Sequence, residues 1–397
     1  MTRLVRHVLL AIGLMTGFAD LNAGVNGWTS IGPPSAIEYY GLTVDPSNPD
    51  TLYVTAYGYP GLWRSRDHGA SWELLGTGTP IATDLLLRVV VDAQKPSHLL
   101  GISAVDFFES VDGGNSWTRR TFPFDTGSAQ SIALSQDSMT IYVGAGQRCE
   151  RLYGSKCVDG GVEKSTDGGR SWTKTALNNL TIGLLDVNPV DPRIVYAAGF
   201  DYDAQSHAGT LFRTRDGGRN WVRIGPAVAI DVISQANMAS QLLIDPTAPS
   251  NMFLSSDTGL WTSIDGGDSW TNVRTTAPFT QILGLADDPL EPRAIFAATA
   301  GAIQQQPPCP PPPLPPCPPL LPPPAGALLG VVRSTDHGIT WSRFIDAALP
   351  PAPSSAFVSE PPLGFSLDPR RNVFYEIRRD GLFAYSISRP RRRAAKP

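Results

Sequence analysis

The chain has 397 residues, 42% of them hydrophobic and 17% charged, with a net charge of −4, 38 Gly and 37 Pro. That length can bury a large core, the Gly and Pro content suits many short strands joined by tight turns, and the slightly acidic balance excludes a nucleic-acid-binding body. No stretch beyond the N-terminus carries helical periodicity, so the expected class is all-β.

At the N-terminus, Arg3 and Arg6 precede an apolar run from Val8 to Ala19, and Ala19 or Ala23 offers a small residue for cleavage. Residues 1–23 read as a signal peptide, which makes the mature chain a secreted or periplasmic protein. The apolar run is short for a bilayer span and no later run is longer, so no transmembrane segment is expected. Four Cys fit an oxidising compartment: Cys149 with Cys157 and Cys309 with Cys317 form two local pairs that read as loop staples.

From residue 65 onward the pattern Ser/Thr-x-Asp-x-Gly-x-Ser/Thr/Asn-Trp recurs six times. Its acids are Asp67, Asp112, Asp167, Asp216, Asp265 and Asp336, and its indoles are Trp72, Trp117, Trp172, Trp221, Trp270 and Trp341. The successive steps between the acids are 45, 55, 49, 49 and 71 residues, a period near 49 with one long exception. Fixed-period self-similarity of this length signals a repeat architecture. The Asp can accept hydrogen bonds from turn amides, the Gly supplies a left-handed backbone, and the Trp can bury a large face on a neighbouring unit.

Upstream of most copies lies an apolar strand ending in Asp-Pro or Asn-Pro, as in Leu42-Thr43-Val44-Asp45-Pro46 and Leu185-Asp186-Val187-Asn188-Pro189. A second strand follows, such as Leu52 to Ala56, then a third such as Gly61 to Arg64, and a fourth begins at the Trp. Four short strands per period make a propeller blade. The last unit, at Leu367-Asp368-Pro369, Val373 to Glu376 and Gly381 to Ala384, has three strands and no such turn after them. Its fourth strand is expected from the other end, because Trp28-Thr29-Ser30-Ile31-Gly32-Pro33 matches Trp221-Val222-Arg223-Ile224-Gly225-Pro226. Pairing the two ends would close the ring and hide strand edges. The domain plan is a signal peptide at 1–23, a seven-bladed propeller at 24–388 with a Pro-rich insertion at 301–327, and a basic disordered tail at 389–397.

These turns resemble the Asp-box (BNR) repeat of sialidases, xyloglucanases, sortilin-type receptors and photosystem II assembly propellers. The resemblance implies that each box joins the third and fourth strands of a blade and belongs to the scaffold. Strand order then places the Asp-Pro turns and the boxes on one face. The long insertions fall on the other, the face where a rigid scaffold carries binding and catalysis. Those insertions contribute Arg148, Arg151 and Tyr153, Tyr202 and His207, with Tyr57 and Tyr59 in the matching turn of the first blade and Arg378 and Arg379 in that of the last. Aromatic rings beside polar groups suit a carbohydrate or protein ligand. In the Pro-rich insertion, 13 of the 18 residues from Pro307 to Pro324 are Pro. A straight polyproline helix would hold Cys309 and Cys317 roughly 25 Å apart, so they pair only if the run bends back.

Two functions follow from the resemblance. One is a non-catalytic binding or assembly platform, monomeric, for a protein or glycan partner. The other is a glycoside hydrolase using paired carboxylates at the channel mouth, with Asp203, Asp231, Asp201 and Asp257 as the positional candidates. The Phe/Tyr-Arg-Ile-Pro motif of sialidases is absent, and Arg223-Ile224-Gly225-Pro226 lies in an outer strand. No complete catalytic constellation is recognisable. The five scattered His and the local Cys pairs give no metal-ligand spacing, and no cofactor is expected.

Overall fold

The computed structural model describes residues 27–33, 38–57, 61–120, 128–149, 157–158, 160–201, 209–225, 241–256, 259–273, 281–288, 291, 293–300, 330–346, 364–368, 370–378 and 381–386. Within them the chain forms seven four-stranded antiparallel sheets and one two-stranded ribbon, with a single 3-10 turn at Pro80–Thr83. Blade 1 consists of Glu38–Val44, Leu52–Tyr57, Leu62–Ser65 and Glu73–Leu75, ordered from the inside outward. Blades 2 to 6 repeat this order, their innermost strands being Arg88–Val91, Ala129–Leu134, Thr181–Val187, Leu242–Ile244 and Gln281–Asp287. Blade 7 takes Gly364–Asp368, Val373–Arg378 and Gly381–Ser386 from the C-terminal end and Trp28–Ser30 from the N-terminal end. Trp28 pairs with Tyr385 and Thr29 with Ala384, the closure expected from the matching ends.

Seven apolar clusters, one at each junction, show that the ring is complete. Ile31, Tyr39, Leu52, Val54 and Tyr375 join blades 7 and 1, and Phe296, Val331, Phe365 and Phe374 join blades 6 and 7. The other five clusters join the remaining neighbours in the same way. Every box Trp packs into the cluster shared with the preceding blade, and Trp28 fills the same place in blade 7. Burying one such indole contributes on the order of 2–3 kcal/mol.

The boxes repeat the same hydrogen bonds. In blade 5, Ser263 Oγ donates to Asp265 Oδ1 at 2.8 Å, and the Ser269 amide and hydroxyl donate to the same carboxylate at 2.9 and 2.6 Å. The Gly267 amide donates to Ser263 Oγ at 2.8 Å. Two consecutive residues lie in the left-handed region, such as Gly266 and Gly267 at φ 70° and 92°. In blades 1 and 6 the first of these is a histidine, His68 at φ 59° and His337 at φ 57°. The second is always Gly for an additional reason: a Cβ on Gly69 or Gly267 would stand 2.6 Å from Ile31 or Ile224 of the preceding blade.

Position also matters before the box. In blades 1, 3 and 4 the cation preceding the box Ser or Thr reaches the next blade: Arg64 Nη1 donates to the Gly113 carbonyl at 2.5 Å, Lys164 Nζ to Gly217 at 3.3 Å, and Arg213 Nη1 to Gly266 at 2.6 Å. The turn that closes one blade is thereby held by its neighbour.

Hydrogen bonds from the Ser269 hydroxyl and amide hold the Asp265 carboxyl down to about 2, outweighing burial. A carboxylate with a depressed folded-state pKa stabilises the fold above its unfolded value near 4, and that contribution fades as the pH falls toward 2. Asp265→Ala is therefore expected to destabilise the protein by about 1–3 kcal/mol at neutral pH. Thermal unfolding at pH 7 and pH 3 should show the gap to wild type narrowing at the lower pH.

Candidate functional site

The second strand of each blade runs away from the box face, so the residues that follow it emerge on the opposite face. Tyr57 ends the second strand of blade 1, Arg378 ends that of blade 7, and Asp201 follows that of blade 4. Arg148 lies in a ribbon raised beyond the second strand of blade 3, where Arg148–Cys149 pairs with Cys157–Val158. These four predicted residues share the long-loop face, in two neighbouring pairs of blades: 7 with 1, and 3 with 4. Asp203, Asp231, Asp257, Arg151, Tyr153, Tyr202, His207, Tyr59, Arg379, Cys309 and Cys317 lie outside the described residues.

The ribbon is anchored by Gln147, which belongs to no recognisable motif. The Gln147 amide donates to Thr181 Oγ1 at 2.9 Å, and its side-chain nitrogen donates to the Asn179 carbonyl at 3.0 Å and to Asp201 Oδ1 at 3.2 Å. Asp201, expected as a candidate acid, thus accepts a bond from the base of the neighbouring insertion. Such a bond orients the insertion relative to blade 4.

The innermost strands carry three ionisable residues whose titration burial shifts. Burial pushes the carboxyl of Asp186 in blade 4 up to about 7, only partly opposed by a backbone hydrogen bond from Val187. Burial also raises Asp287 in blade 6, with Asp245 and Asp288 adding nearby negative charge. Arg88 in blade 2 donates to the Tyr40 carbonyl at 2.5 Å, and burial lowers its pKa. The hydrophobic pattern of these strands hid all three, because a single charge in an apolar strand leaves the period unchanged.

On the box face, the described histidines each meet the buried acid of an inner-strand turn. His98 Nδ1 lies 3.0 Å from Asp92, and His337 Nδ1 lies 3.2 Å from Asp245. His68 stands at the seam of blades 7 and 1, its Nε2 2.9 Å from Asp50 and its Nδ1 3.2 Å from the Tyr375 hydroxyl and 3.4 Å from Asp368 Oδ2. Asp50, His68 and Asp368 are close enough to suggest cation ligands. The two carboxylates, however, face different nitrogens of one ring, so no ion can reach all three at the ~2.0–2.2 Å that ligation requires without side-chain movement. A neutral imidazole fits the buried site better, with Nδ1 in hydrogen-bond contact with the Tyr375 hydroxyl and Nε2 close to Asp50 without a hydrogen bond to it. Burial, aided by Arg371, lowers the His68 pKa and favours that form. The group locks the seam.

Two measurements test these assignments. An Asp with a raised folded-state pKa stabilises the fold while protonated, fully so below its unfolded value near 4 and progressively less as the pH rises through about 7. The melting temperature of wild type should therefore fall between pH 5 and pH 8 relative to that of Asp186→Asn, whose neutral amide does not titrate. The register also sets Cys149 directly opposite Cys157. Cross-strand partners stand about 4.5–5.5 Å apart at Cα, within disulfide range. Alkylation of the unreduced protein should leave the peptides carrying these two Cys unmodified, and reduction should release both.

Among the described residues, no helix is long and apolar enough to cross a membrane. The family model described as BNR/Asp-box repeat matches residues 332–343, the box of blade 6. A xyloglucanase of a Paenibacillus species is 27% identical over 244 residues, covering 58% of this chain and 20% of that enzyme. The xyloglucanase Xgh74A of Acetivibrio thermocellus is 25% identical over 245 residues, 58% of this chain and 25% of that one. The chain thus spans a quarter or less of the length of these relatives. Among solved structures, YCF48 bound to a D1 peptide superposes with a TM-score of 0.56 at 13% identity, covering 92% of this chain and 98% of that one. The extracellular domain of BT4673 from B. thetaiotaomicron gives 0.55 at 13% identity, covering 90% of this chain and 39% of that one. The chain is a seven-bladed β-propeller whose blade 6 turn matches the BNR/Asp-box repeat, with six turns of that pattern and a seventh blade assembled from its two ends.

Proposed function

We propose that this protein is an exported, monomeric docking platform that holds a protein or glycan partner on its long-loop face without chemical turnover. The observation that carries this reading is the contrast between the two faces. The box face repeats one turn in six of the seven blades, with the same hydroxyl and amide bonds to its carboxylate each time. The opposite face carries the ribbon at Arg148–Cys149 and Cys157–Val158, tied through Gln147 to Asp201 of the next blade. A rigid ring carrying non-repeating loops suits recognition, since the scaffold fixes positions and the loops supply chemistry. YCF48, of the same fold, has been captured with a bound peptide. Export rests on residues 1–23, read as a cleaved signal peptide, and on paired cysteines.

A second reading is favoured by the xyloglucanase relatives: a glycoside hydrolase using paired carboxylates at the channel mouth. Asp203 and Asp231 are the first residues to test for it. The purified mature protein should be incubated with xyloglucan and a panel of aryl glycosides, and in parallel applied to a glycan array and to immobilised peptides. Binding without product formation, weakened severalfold by Gln147→Ala, is the outcome expected of the platform. Hydrolysis abolished by Asp203→Asn or Asp231→Asn would replace it with the enzyme.

A further inference from the structure

The ring has seven blades and six boxes, which leaves one junction without the turn that seals the others. In the junctions that follow blades 1, 3 and 4, the box of the following blade lies over a cation of the third strand. Arg64 and Arg213 bond box carbonyls in this way, and Nη2 of each also meets an oxygen of the box side chains, Asn115 Oδ1 at 3.2 Å and Asp268 Oδ1 at 2.6 Å. Their side chains are 3% and 6% exposed. Arg333 holds the same place in blade 6, pairing with Phe296 as Arg213 pairs with Tyr196. Its side chain is 26% exposed, its Nη2 turns to Glu291 of its own blade, and its buried Nε has no hydrogen-bond partner.

Beside Arg333 the outer strand carries a bulge that brings Phe344 against Phe296 and Phe374, with ring centroids 5.2 and 6.1 Å apart. The guanidinium lies 5.6 Å from the Phe296 ring and 5.5 Å from the Phe344 ring. Phe344 is 39% exposed, whereas Ile31 and Ile224, which receive box glycines elsewhere, are 6% and 8% exposed. An exposed aromatic and an under-bonded guanidinium therefore meet where a seventh box would sit.

Neither end of the chain can supply that box. Register places Tyr385 at the position of the box Ser, because Tyr385 faces Phe374 and Trp28 as Thr214 and the box Trp do in blade 4. Counting onward puts Ile387 at the Asp position and Arg389 at the Gly position, and counting back from Trp28 puts Val25 at the Gly position. Ile387 offers no carboxylate. A side chain at the Gly position faces both the left-handed backbone and the neighbouring blade. The residues after Ser386 also carry Arg389, Arg391, Arg392, Arg393 and Lys396, a charge that Arg333 repels.

We propose that the junction of blades 6 and 7 on the box face is a docking surface for a partner protein, which inserts a glycine-containing acidic turn over Arg333 and Phe344. The two filled junctions built on an arginine, at Arg64 and Arg213, define the chemistry: a backbone carbonyl and an acidic or amide side chain on the guanidinium, and a glycine against the apolar wall. This surface lies opposite the long-loop face and acts independently of it.

The test uses a cyclic peptide carrying residues 263–270, Ser-Ile-Asp-Gly-Gly-Asp-Ser-Trp, titrated into the full-length mature protein by calorimetry. Saturable binding, weakened at least tenfold by Arg333→Gln and by Phe344→Ser, is the expected result. Phe344→Ser replaces an exposed ring, so its melting curve serves as a check that the fold is intact. No saturable binding, or binding indifferent to both substitutions, overturns the proposal. Binding that appears only after removal of residues 387–397 also overturns it, since the chain's own tail would then be the occupant.

Discussion

The structure depends on a turn in which two successive residues adopt left-handed backbone while one carboxylate gathers the hydroxyls and amides around it. Left-handed backbone is unfavourable for most residues by roughly 1–2 kcal/mol each, so the turn needs compensation. Some comes from within, through the bonds to Asp265 or its equivalents. The rest comes from the preceding blade, whose side chains receive the glycine and which, in blades 1, 3 and 4, also supplies a cation to the exposed carbonyl. Because the support crosses the junction, a box is both the end of one blade and the fastener to another. Blade pitch is set by that contact, and the position of every loop on the other face follows from it.

The ring closes where this logic is interrupted. Blade 7 takes its outer strand and its indole from the N-terminal end, so Trp28 packs with Phe296 and Phe374 although hundreds of residues separate them in sequence. The opposite side of the same blade is held differently. There the box histidine of blade 1 reaches back to Tyr375 and Asp368, and Arg370 donates to the Ser47 carbonyl at 3.2 Å. A split blade pays its loop-closure entropy through the longest loop in the chain, and this polar lock adds to the apolar cluster at the seam.

Most of the fold was legible in the sequence because the box constrains residue type at five of eight positions. The Asp-Pro turns were legible where proline was present and were missed where it was not. Asp92 in blade 2 accepts the Gln94 and Lys95 amides, as Asp45 does those of Ser47 and Asn48, yet no proline follows it. In blade 3 the role passes to Asp137, two residues after Ser135. The function of these turns depends on a carboxylate at the right φ and ψ, and proline only assists. Legibility of the candidate site was lower for a physical reason. Gln147 acts through contacts with Asn179 and Asp201, which lie 32 and 54 residues away, and no local pattern encodes such a meeting. Asp186 and Arg88 were hidden for the converse reason, since strand period reports which face is apolar and is insensitive to one half-buried ionisable residue.

Insertions on one face are tolerated because the junctions fasten the other. The third strand of blade 6 returns after residues 301–329 and pairs with the second strand in unbroken register, Thr299 opposite Gly330 through Ile295 opposite Ser334. In blade 5 the same two strands are joined by a hairpin in which Ser256 faces Gly259. Lengthening a flexible loop from two residues to thirty costs only about 2 kcal/mol in closure entropy, since the penalty grows with the logarithm of length. That is comparable to burying one box indole, and Trp341 of the same blade remains packed against blade 5. A substitution inside a box, by contrast, removes bonds from two blades at once. The same energetics therefore hold the boxes nearly invariant along the chain and let the opposite loops vary in length and composition.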